Sequence, residues 1–378
     1  MKIAILGTRG IPNCYGGFEQ FAEYLSEGLV NRGHLVTVYN SHSHPYQQSE
    51  WHKVRIVHCY DPEDKFGTIG QFIYDFNCIR HTRTQDYDII LQLGYTSSTI
   101  WGWLLPRKTS IVTTNMDGLE WSRSKYSKPV QKFLQFAEYL GIKFSDYLIS
   151  DSIGIKEYLK KKYKIDSTYI PYGAFVFEDT NISILSKYNL ETFGYDMLIA
   201  RLEPENNIEM ILEGVKNADT QRPFLVIGKH ESNFGTYLKN KFRNNKNIHF
   251  LGGIYDINIL NNLRFYSNLY FHGHSVGGTN PSLLEAMASH TLICAHNNIF
   301  NSSILGEDAF YFSTSYDIRD VINTKQKVDY SEYLASNCDK IKEYYSWDTI
   351  IAQYLHHFNS ILKTSSSRVA KPNLAIDL

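Results

Sequence analysis

The strongest constraint on the fold is an alternation of short apolar runs with amphipathic segments. Residues 2–7 form the first apolar run, a glycine-rich stretch follows to Gly17, and residues 18–30 repeat apolar side chains three and four positions apart. Residues 34–40 form the next apolar run, which completes a βαβ unit with parallel strands. This order predicts a doubly wound α/β domain at the start of the chain.

The alternation continues and then begins a second time. Further strands of the first series are predicted at 54–59, 87–92, 110–114 and 147–150. A Pro/Gly break at 169–173 separates them from a second series, with strands predicted at 196–200, 223–228, 247–251, 268–271, 291–295 and 309–312. We therefore predict two α/β domains, at 1–175 and 176–345. We expect a helix at about 347–362 to pack back on the first domain, and 364–378 to be a polar tail.

Composition excludes several classes of protein. The 378 residues carry a net charge of -1, with 38 basic and 39 acidic side chains, so no overall field favours nucleic acid. The five cysteines are widely spaced and form no CxxC pair, which argues against a disulfide framework or a zinc site. No apolar run approaches the roughly 18 residues of a membrane span, and the first run is too short for a signal peptide. The composition predicts a cytoplasmic protein.

The stretch at residues 268–288 combines the features of a nucleotide site. Its apolar start predicts a strand end, Gly277 and Gly278 predict a tight turn, and Asn280 is a suitable N-cap before a helix. Backbone N–H groups at such a turn, with the helix dipole behind them, favour a phosphate. Glu285 follows one turn later, where a carboxylate could accept hydrogen bonds from ribose hydroxyls. Complementing the helix dipole is the simpler alternative for this glutamate.

The glycine-rich stretches do not match the motifs of proteins that bind NAD or hydrolyse ATP. Gly7-x-x-Gly10 followed by Gly16-Gly17 is not GxGxxG, and the second strand ends without the acid that would hold an NAD ribose. A Walker loop and an HExxH motif are both absent from the sequence. His272 and His274 could be metal ligands, but a strand-end histidine is more often a structural group. We expect neither a metal nor a cofactor.

Four stretches, in order, resemble a known family. They are 7–12 (GTRGIP) with 15–19 (YGGFE), 115–121 (NMDGLEW), 200–207 (ARLEPENN) and 274–285 (HSVGGTNPSLLE). On these stretches the span from Lys2 to about Leu362 resembles a GT-B glycosyltransferase of family 4, within its bacterial rhamnosyltransferase-type branch. The resemblance implies an α/β fold of two Rossmann-like doubly wound domains facing across a cleft. It also implies retaining, metal-independent transfer of a sugar from a nucleoside diphosphate to a lipid-linked acceptor.

Two positions depart from the wider family. Gly277 stands where family members carry the first of two glutamates spaced eight apart, and Asn206 stands where many carry a lysine. The rhamnosyltransferase-type branch shares both departures. The resemblance implies that Arg201 is a cationic partner of the diphosphate. Lys229 could supply the charge that Asn206 lacks. For Arg201 the alternative is a surface salt bridge with Glu203 or Glu205.

The resemblance distributes the remaining roles over the two domains. Glu285 would hold the ribose. The other predicted donor-site residues are Gly16, Gly17, Arg201, Lys229, Gly278 and Thr279 for the diphosphate, Ile254 and Tyr255 for the base, and His274 and Gly277 for the sugar. Asp117 is the best candidate to accept or orient a proton of the attacking hydroxyl, and Asp151 and Tyr172 rank behind it. An N-cap or turn role is the alternative for Asp117. Without a convincing carboxylate nucleophile, retention would come from front-face attack.

A lipid-linked acceptor would require a surface of the protein that contacts the membrane. Lys125, Lys128 and Lys132 recur at helical spacing among aromatic residues, which is typical of an interfacial patch on an anionic inner membrane, or of an ordinary solvated helix face. The preferred function is transfer of L-rhamnose from dTDP-rhamnose in bacterial surface polysaccharide or O-antigen synthesis. The alternatives are a GT-B sugar-nucleotide 2-epimerase and a non-catalytic sugar-nucleotide-binding subunit.

Overall fold

The computed structural model describes residues 1–14, 16–116, 118–123 and 125–365, and the chain divides into two compact units. The first unit comprises Met1–Met116, Ala137–Ile149 and the described residues from Ile351 on. The second comprises the described residues of 117–136 together with Ser150–Ile350. The predicted domain boundaries at 175 and 345 remain predictions. Most of the predicted tail lies outside the described residues.

The first sheet is built from the first series of apolar runs. Its strands are β1 (Lys2–Leu6), β2 (Leu35–Ser41), β3 (Glu50–Trp51), β4 (Val54–Cys59), β5 (Ile89–Leu93), β6 (Ile111–Asn115), β7 (Tyr147–Ser150) and β8 (Thr168–Tyr169). Their order is β3-β4-β2-β1-β5-β6-β7-β8. β1 pairs in parallel with both β2 and β5, and the short β3 pairs antiparallel with β4. All residues of β5 and β6 are buried, as expected of central strands covered on both faces.

Helices follow the strands of this series. They are α1 (Gly17–Asn31), α2 (Glu63–Phe66), α3 (Thr68–Thr82), α4 (Lys128–Phe144) and α5 (Ile153–Tyr163). α1 buries Phe21, Leu25 and Leu29, which confirms the helical spacing predicted for this stretch. α5 begins at the N-cap Ser152, whose hydroxyl accepts the N–H of Ile155.

The second sheet is entirely parallel. Its strands are β9 (Asp196–Ile199), β10 (Phe224–Ile227), β11 (Ile248–Gly252), β12 (Leu269–His272), β13 (Ile293–His296) and β14 (Phe310–Phe312). The order β11-β10-β9-β12-β13-β14 places β9 and β12 side by side at the centre. The ring centroids of Phe224 and Phe271 lie 5.6 Å apart in the core of this sheet. The second sheet, and the first apart from the antiparallel β3, are parallel, which confirms the predicted α/β class.

The remaining helices follow in chain order. They are α6 (Ser183–Ser186), α7 (Ile208–Lys216), α8 (Asn233–Phe242), α9 (Ile257–Tyr266), α10 (Pro281–Ala288), α11 (Ile299–Leu305), α12 (Ser315–Thr324), α13 (Ser331–Tyr344) and α14 (Trp347–Ser365). In the first unit, the Tyr354 ring of α14 lies 5.3 Å from the Phe21 ring, and His357 Nε2 lies 3.0 Å from Thr113 Oγ1. Among the residues described, no helix is long and apolar enough to cross a membrane.

Candidate functional site

The predicted nucleotide turn is a loop of residues 273–280, called here the second glycine loop, between β12 and α10. The Asn280 side chain accepts the N–H of Ser282 at 2.9 Å, which confirms the predicted N-cap, and Pro281 is the first helical residue. Gly277 has a φ of +135°, a conformation that an L side chain rarely adopts, although a Cβ there would meet no atom within 4 Å. Backbone conformation, and not lack of space, requires this glycine.

A buried carboxylate already holds one N–H of this loop. Asp151 Oδ2 accepts the Thr279 N–H at 3.1 Å, and the Thr279 hydroxyl donates to the Asp151 carbonyl oxygen. A Cβ on Gly278 would overlap the same carboxylate. Asp151 is fully buried, so its contacts are those of a group that fixes the loop. The Thr279 N–H could bind a phosphate only by exchanging this partner, and the predicted roles of both residues remain predictions.

Arg201 is the exposed cation beside this loop. Its guanidinium makes no ion pair with Glu203, Glu205 or any other residue in the described part of the chain. Glu205 lies instead 3.8 Å from the guanidinium of Arg123, which also binds Glu120 at 2.7 Å. The surface salt bridge considered for Arg201 does not form. Its charge remains available to an anionic ligand.

Hydrogen bonds tie the turn at 201–207 to the second glycine loop. Ser275 donates its N–H and hydroxyl to the Glu205 carbonyl at 3.2 and 2.7 Å, and the Asn207 amide donates to the Gly273 carbonyl at 2.8 Å. The buried Asn206 amide donates to the Arg201 carbonyl at 2.7 Å. An amide suits this position because a lysine ammonium placed there would lose its hydration.

His272 and His274 are stacked at the start of the loop, with ring centroids 4.4 Å apart. Burial, reinforced by the positive charges of Arg201 and Arg123, lowers the pKa of His274 to about 3. Burial also lowers the pKa of His272 well below its usual value, with the neighbouring His274 adding to the effect. Both rings are therefore neutral at physiological pH. Among the described residues no cluster of three or more potential ligands could hold a metal ion.

Glu285, the predicted ribose ligand, is paired with an arginine that the sequence analysis missed. Arg264 on α9 is 1% exposed and donates from Nη2 to Glu285 Oε2 at 2.7 Å. The same Nη2 lies 2.9 Å from Ser282 Oγ, and Nη1 donates to Asn261 Oδ1 at 2.7 Å. Glu285 keeps a partly exposed side chain on α10. It could therefore still meet a ligand, but with one oxygen already bound.

The predicted base-binding residues lie near Lys229. The Lys229 Nζ lies 5.7 Å from the centroid of the Tyr255 ring, which belongs to a side chain that is 74% exposed. Ile254 is half-buried, and Gly252 before it has a φ of +79°. The structure thus brings Lys229 and Tyr255 together. An exposed tyrosine ring is a surface on which a base could stack.

The described residues of 7–17, called here the first glycine loop, are held by a different set of contacts. Gly7 has a φ of +88°, and a Cβ there would overlap the Leu93 carbonyl. Glu19 Oε1 accepts the Arg9 N–H at 3.0 Å, while the Arg9 guanidinium binds both oxygens of Glu63, at 3.0 and 2.7 Å. Gly16 and Gly17 are exposed at the start of α1, where helix N–H groups lack partners in the helix.

The remaining predicted residues have mixed outcomes. Tyr172 is 5% exposed, which places it in the core of the second unit. Asp117 lies outside the described residues. Sequence analysis also missed Asp75 on α3, which accepts the Ser97 hydroxyl at 2.5 Å and whose pKa burial raises to about 7. A single aspartate among the apolar and aromatic residues of α3 gave no signal that its own side chain is buried.

Comparisons with known proteins identify the fold. A family described as a domain of unknown function (DUF1972) matches residues 1–175, and a search of curated proteins found no match. A sucrose-phosphate synthase from Thermosynechococcus elongatus is similar over 96% of this chain and 99% of that chain, with a TM-score of 0.77 and 15% identity. The chain has the GT-B fold.

Two further GT-B neighbours agree. A glycosyltransferase from Rickettsia africae has a TM-score of 0.71 at 14% identity and covers 96% of this chain and 98% of its own. HepE from Anabaena, solved in complex with UDP and glucose, has a TM-score of 0.73 at 16% identity and covers 95% of this chain and 100% of its own. The predicted GT-B fold is confirmed.

Proposed function

We propose that this protein is a glycosyltransferase that takes a sugar from a nucleoside diphosphate. The observation that carries the proposal is the exposed Arg201 guanidinium, which has no ion pair among the described residues and whose turn is bonded to the second glycine loop. A guanidinium can neutralise a leaving diphosphate, and such stabilisation is a large part of catalysis. The GT-B neighbours, one of them solved with UDP and glucose, support the same reaction class.

In the proposed reaction the donor lies at the second glycine loop and the base end lies toward Tyr255. Arg201 and Lys229 would neutralise the diphosphate, and Glu285 would accept a ribose hydroxyl. The neutral His274 would offer a ring nitrogen to the sugar, without a charge to repel the Arg201 guanidinium. The chain would supply charge neutralisation with side chains and need no metal or cofactor.

The finer proposal is that L-rhamnose moves from dTDP-rhamnose to a lipid-linked saccharide, with retention, in bacterial surface polysaccharide or O-antigen synthesis. It rests on the rhamnosyltransferase-type motifs, including Gly277 and Asn206. The backbone at Gly277 supports a true glycine position, because its φ of +135° disfavours the glutamate of the wider family. Asp117 remains the first candidate to orient the acceptor hydroxyl, and Asp151 and Tyr172 remain behind it.

A lipid-linked acceptor would bring the protein to the cytoplasmic face of the inner membrane. α4 carries three apolar side chains that are partly exposed, Val130 at 39%, Phe133 at 37% and Phe136 at 51%, beside the exposed Lys128 and Lys132. Basic and aromatic side chains on one helix suit an anionic interface. Changing Lys125, Lys128 and Lys132 together to Glu should weaken binding to anionic liposomes and spare donor hydrolysis. Unchanged liposome binding would contradict the membrane proposal.

The reaction itself is tested by incubating the protein with a panel of nucleotide sugars and a synthetic lipid diphosphate GlcNAc acceptor. An elongated lipid product, formed most rapidly from dTDP-rhamnose, is the expected result. A changed free sugar nucleotide would instead indicate a 2-epimerase, and binding without turnover would indicate a non-catalytic sugar-nucleotide-binding subunit. Transfer from another donor would keep the glycosyltransferase and reject rhamnose.

A further inference from the structure

The environment of Glu285 bears on whether the bound nucleotide contains ribose or 2′-deoxyribose. Glu285 Oε2 is bound by Arg264 Nη2 at 2.7 Å, and Glu285 Oε1 has no partner among the described residues. The carboxylate therefore does not present two equivalent oxygens to a ligand.

Arg264 is buried and held by several contacts. It is 1% exposed, its Nη1 donates to Asn261, and its Nη2 is shared between Glu285 and Ser282 Oγ. The Tyr270 hydroxyl lies 2.9 Å from Ser282 Oγ, and the Tyr270 ring lies 5.9 Å from the guanidinium carbon. Breaking the ion pair would leave a buried guanidinium without its counter-charge, which is strongly unfavourable. A ligand is therefore not expected to displace Arg264 from Oε2.

We infer that Glu285 recognises one ribose hydroxyl and not two, so that the site accepts a 2′-deoxyribose nucleotide as well as a ribonucleotide. A carboxylate with both oxygens free can bind the vicinal 2′- and 3′-hydroxyls of ribose, one on each oxygen. Here Oε2 already accepts the charged Arg264 donor, which makes it the weaker remaining acceptor, so a ribose hydroxyl binds preferentially at Oε1. Arg264 is thus a positioning residue that sets nucleotide specificity. This inference rests on the proposed function, and it is compatible with a dTDP-linked donor, whose 2′-deoxyribose carries only the 3′-hydroxyl.

The test compares the affinities of UDP, 2′-deoxy-UDP and 3′-deoxy-UDP for the full-length protein by calorimetry. The expected result is that 2′-deoxy-UDP binds within about threefold of UDP, while 3′-deoxy-UDP binds about tenfold or more weakly, since one charge-assisted hydrogen bond is lost. A tenfold preference for UDP over 2′-deoxy-UDP would overturn the inference. No binding of any nucleoside diphosphate would instead overturn the proposed function.

An Arg264→Met variant tests the cause. Releasing Oε2 should let Glu285 bind both hydroxyls, so the preference for UDP over 2′-deoxy-UDP should rise by about tenfold. Arg222→Met is the matched control, because Arg222 also pairs with a carboxylate in the second unit, Asp196, at 3.2 Å, but at the start of β9. It should leave the affinity ratio unchanged. An unchanged ratio of the affinities for UDP and 2′-deoxy-UDP in folded Arg264→Met would contradict the role of Arg264. If that variant fails to fold, the three nucleotides measured on the unmodified protein still decide the inference.

Discussion

Both glycine loops are rich in glycine and have an arginine in or beside them, but the two arginines have different partners. In the first loop, Arg9 is bound by both oxygens of Glu63. Beside the second loop, Arg201 has no ion pair among the described residues, because Glu205 lies against Arg123. In both loops a buried carboxylate, Glu19 or Asp151, accepts a backbone N–H. Glycine and positive charge in a sequence therefore indicate a candidate anion site, but pairing decides which one keeps charge for a ligand.

Replacing Arg201 should give the largest effect. Arg201→Gln removes the proposed diphosphate partner and should lower kcat/KM for the sugar nucleotide about 100- to 1000-fold, with little change in Tm. Arg9→Gln is the matched variant, and because the Arg9–Glu63 pair is partly exposed it should cost at most about 1 kcal/mol of stability and leave kcat/KM within about threefold. Steady-state kinetics and thermal unfolding measure both. Equal kinetic losses in the two variants would remove the distinction between the loops.

The glycines of the two loops should also respond differently. Gly7→Ala introduces a Cβ that overlaps the Leu93 carbonyl at a positive φ, and we expect it to destabilise the protein by about 3 kcal/mol or more. Gly277→Ala has the unfavourable φ but meets no atom within 4 Å, so about 1 kcal/mol is expected. Denaturant unfolding gives both values. A larger loss at Gly277 would mean that the space beside it is filled.

Local sequence was enough to predict the α/β class and the buried face of α1, from periodicity, and the N-cap at Asn280, from residue type, because these depend on residues close in sequence. The contacts that decide the site join distant residues. Asp151 and Thr279 are 128 positions apart, and Arg264 and Glu285 are 21 apart on different helices. No local pattern marks Asp151 as the partner of the loop or Arg264 as the partner of Glu285. The sequence therefore indicated which residue types gather at the strand ends, but not which of them bind each other.

The pairing of Glu205 with Arg123 can be broken directly. Arg123→Gln should leave Glu205 to compete for Arg201, which lies four residues away in the same turn, and raise the donor KM about five- to tenfold. The double variant Arg123→Gln, Glu205→Gln removes the competing carboxylate and should recover most of the affinity. Donor KM measured for the single and double variants separates this effect from general loss of structure. If adding Glu205→Gln to Arg123→Gln does not lower the donor KM again, competition between Glu205 and the donor for Arg201 is rejected.

The last expected effect is an opposite pH dependence of stability in the two units. Burial raises the pKa of Asp75 to about 7, so the folded first unit keeps a proton that the unfolded chain releases above about pH 4. The stability that Asp75 contributes is present near pH 4 and is lost as the pH rises toward 7. Burial lowers the pKa of His274 to about 3. Below about pH 6.5 the unfolded chain therefore binds a proton at His274 that the folded second unit does not bind until the pH approaches 3.

The His274 contribution is therefore present above about pH 6.5 and is lost as the pH falls toward 3. Asp75→Asn should gain about 1–2 kcal/mol near pH 8 relative to its effect near pH 4, because the neutral amide has no proton to release on unfolding. His274→Asn should show the reverse, with its relative gain at low pH. Thermal unfolding of each variant between pH 4 and 8 measures the slopes. Parallel pH profiles for the two variants would contradict the difference in charge environment between the first unit and the second glycine loop.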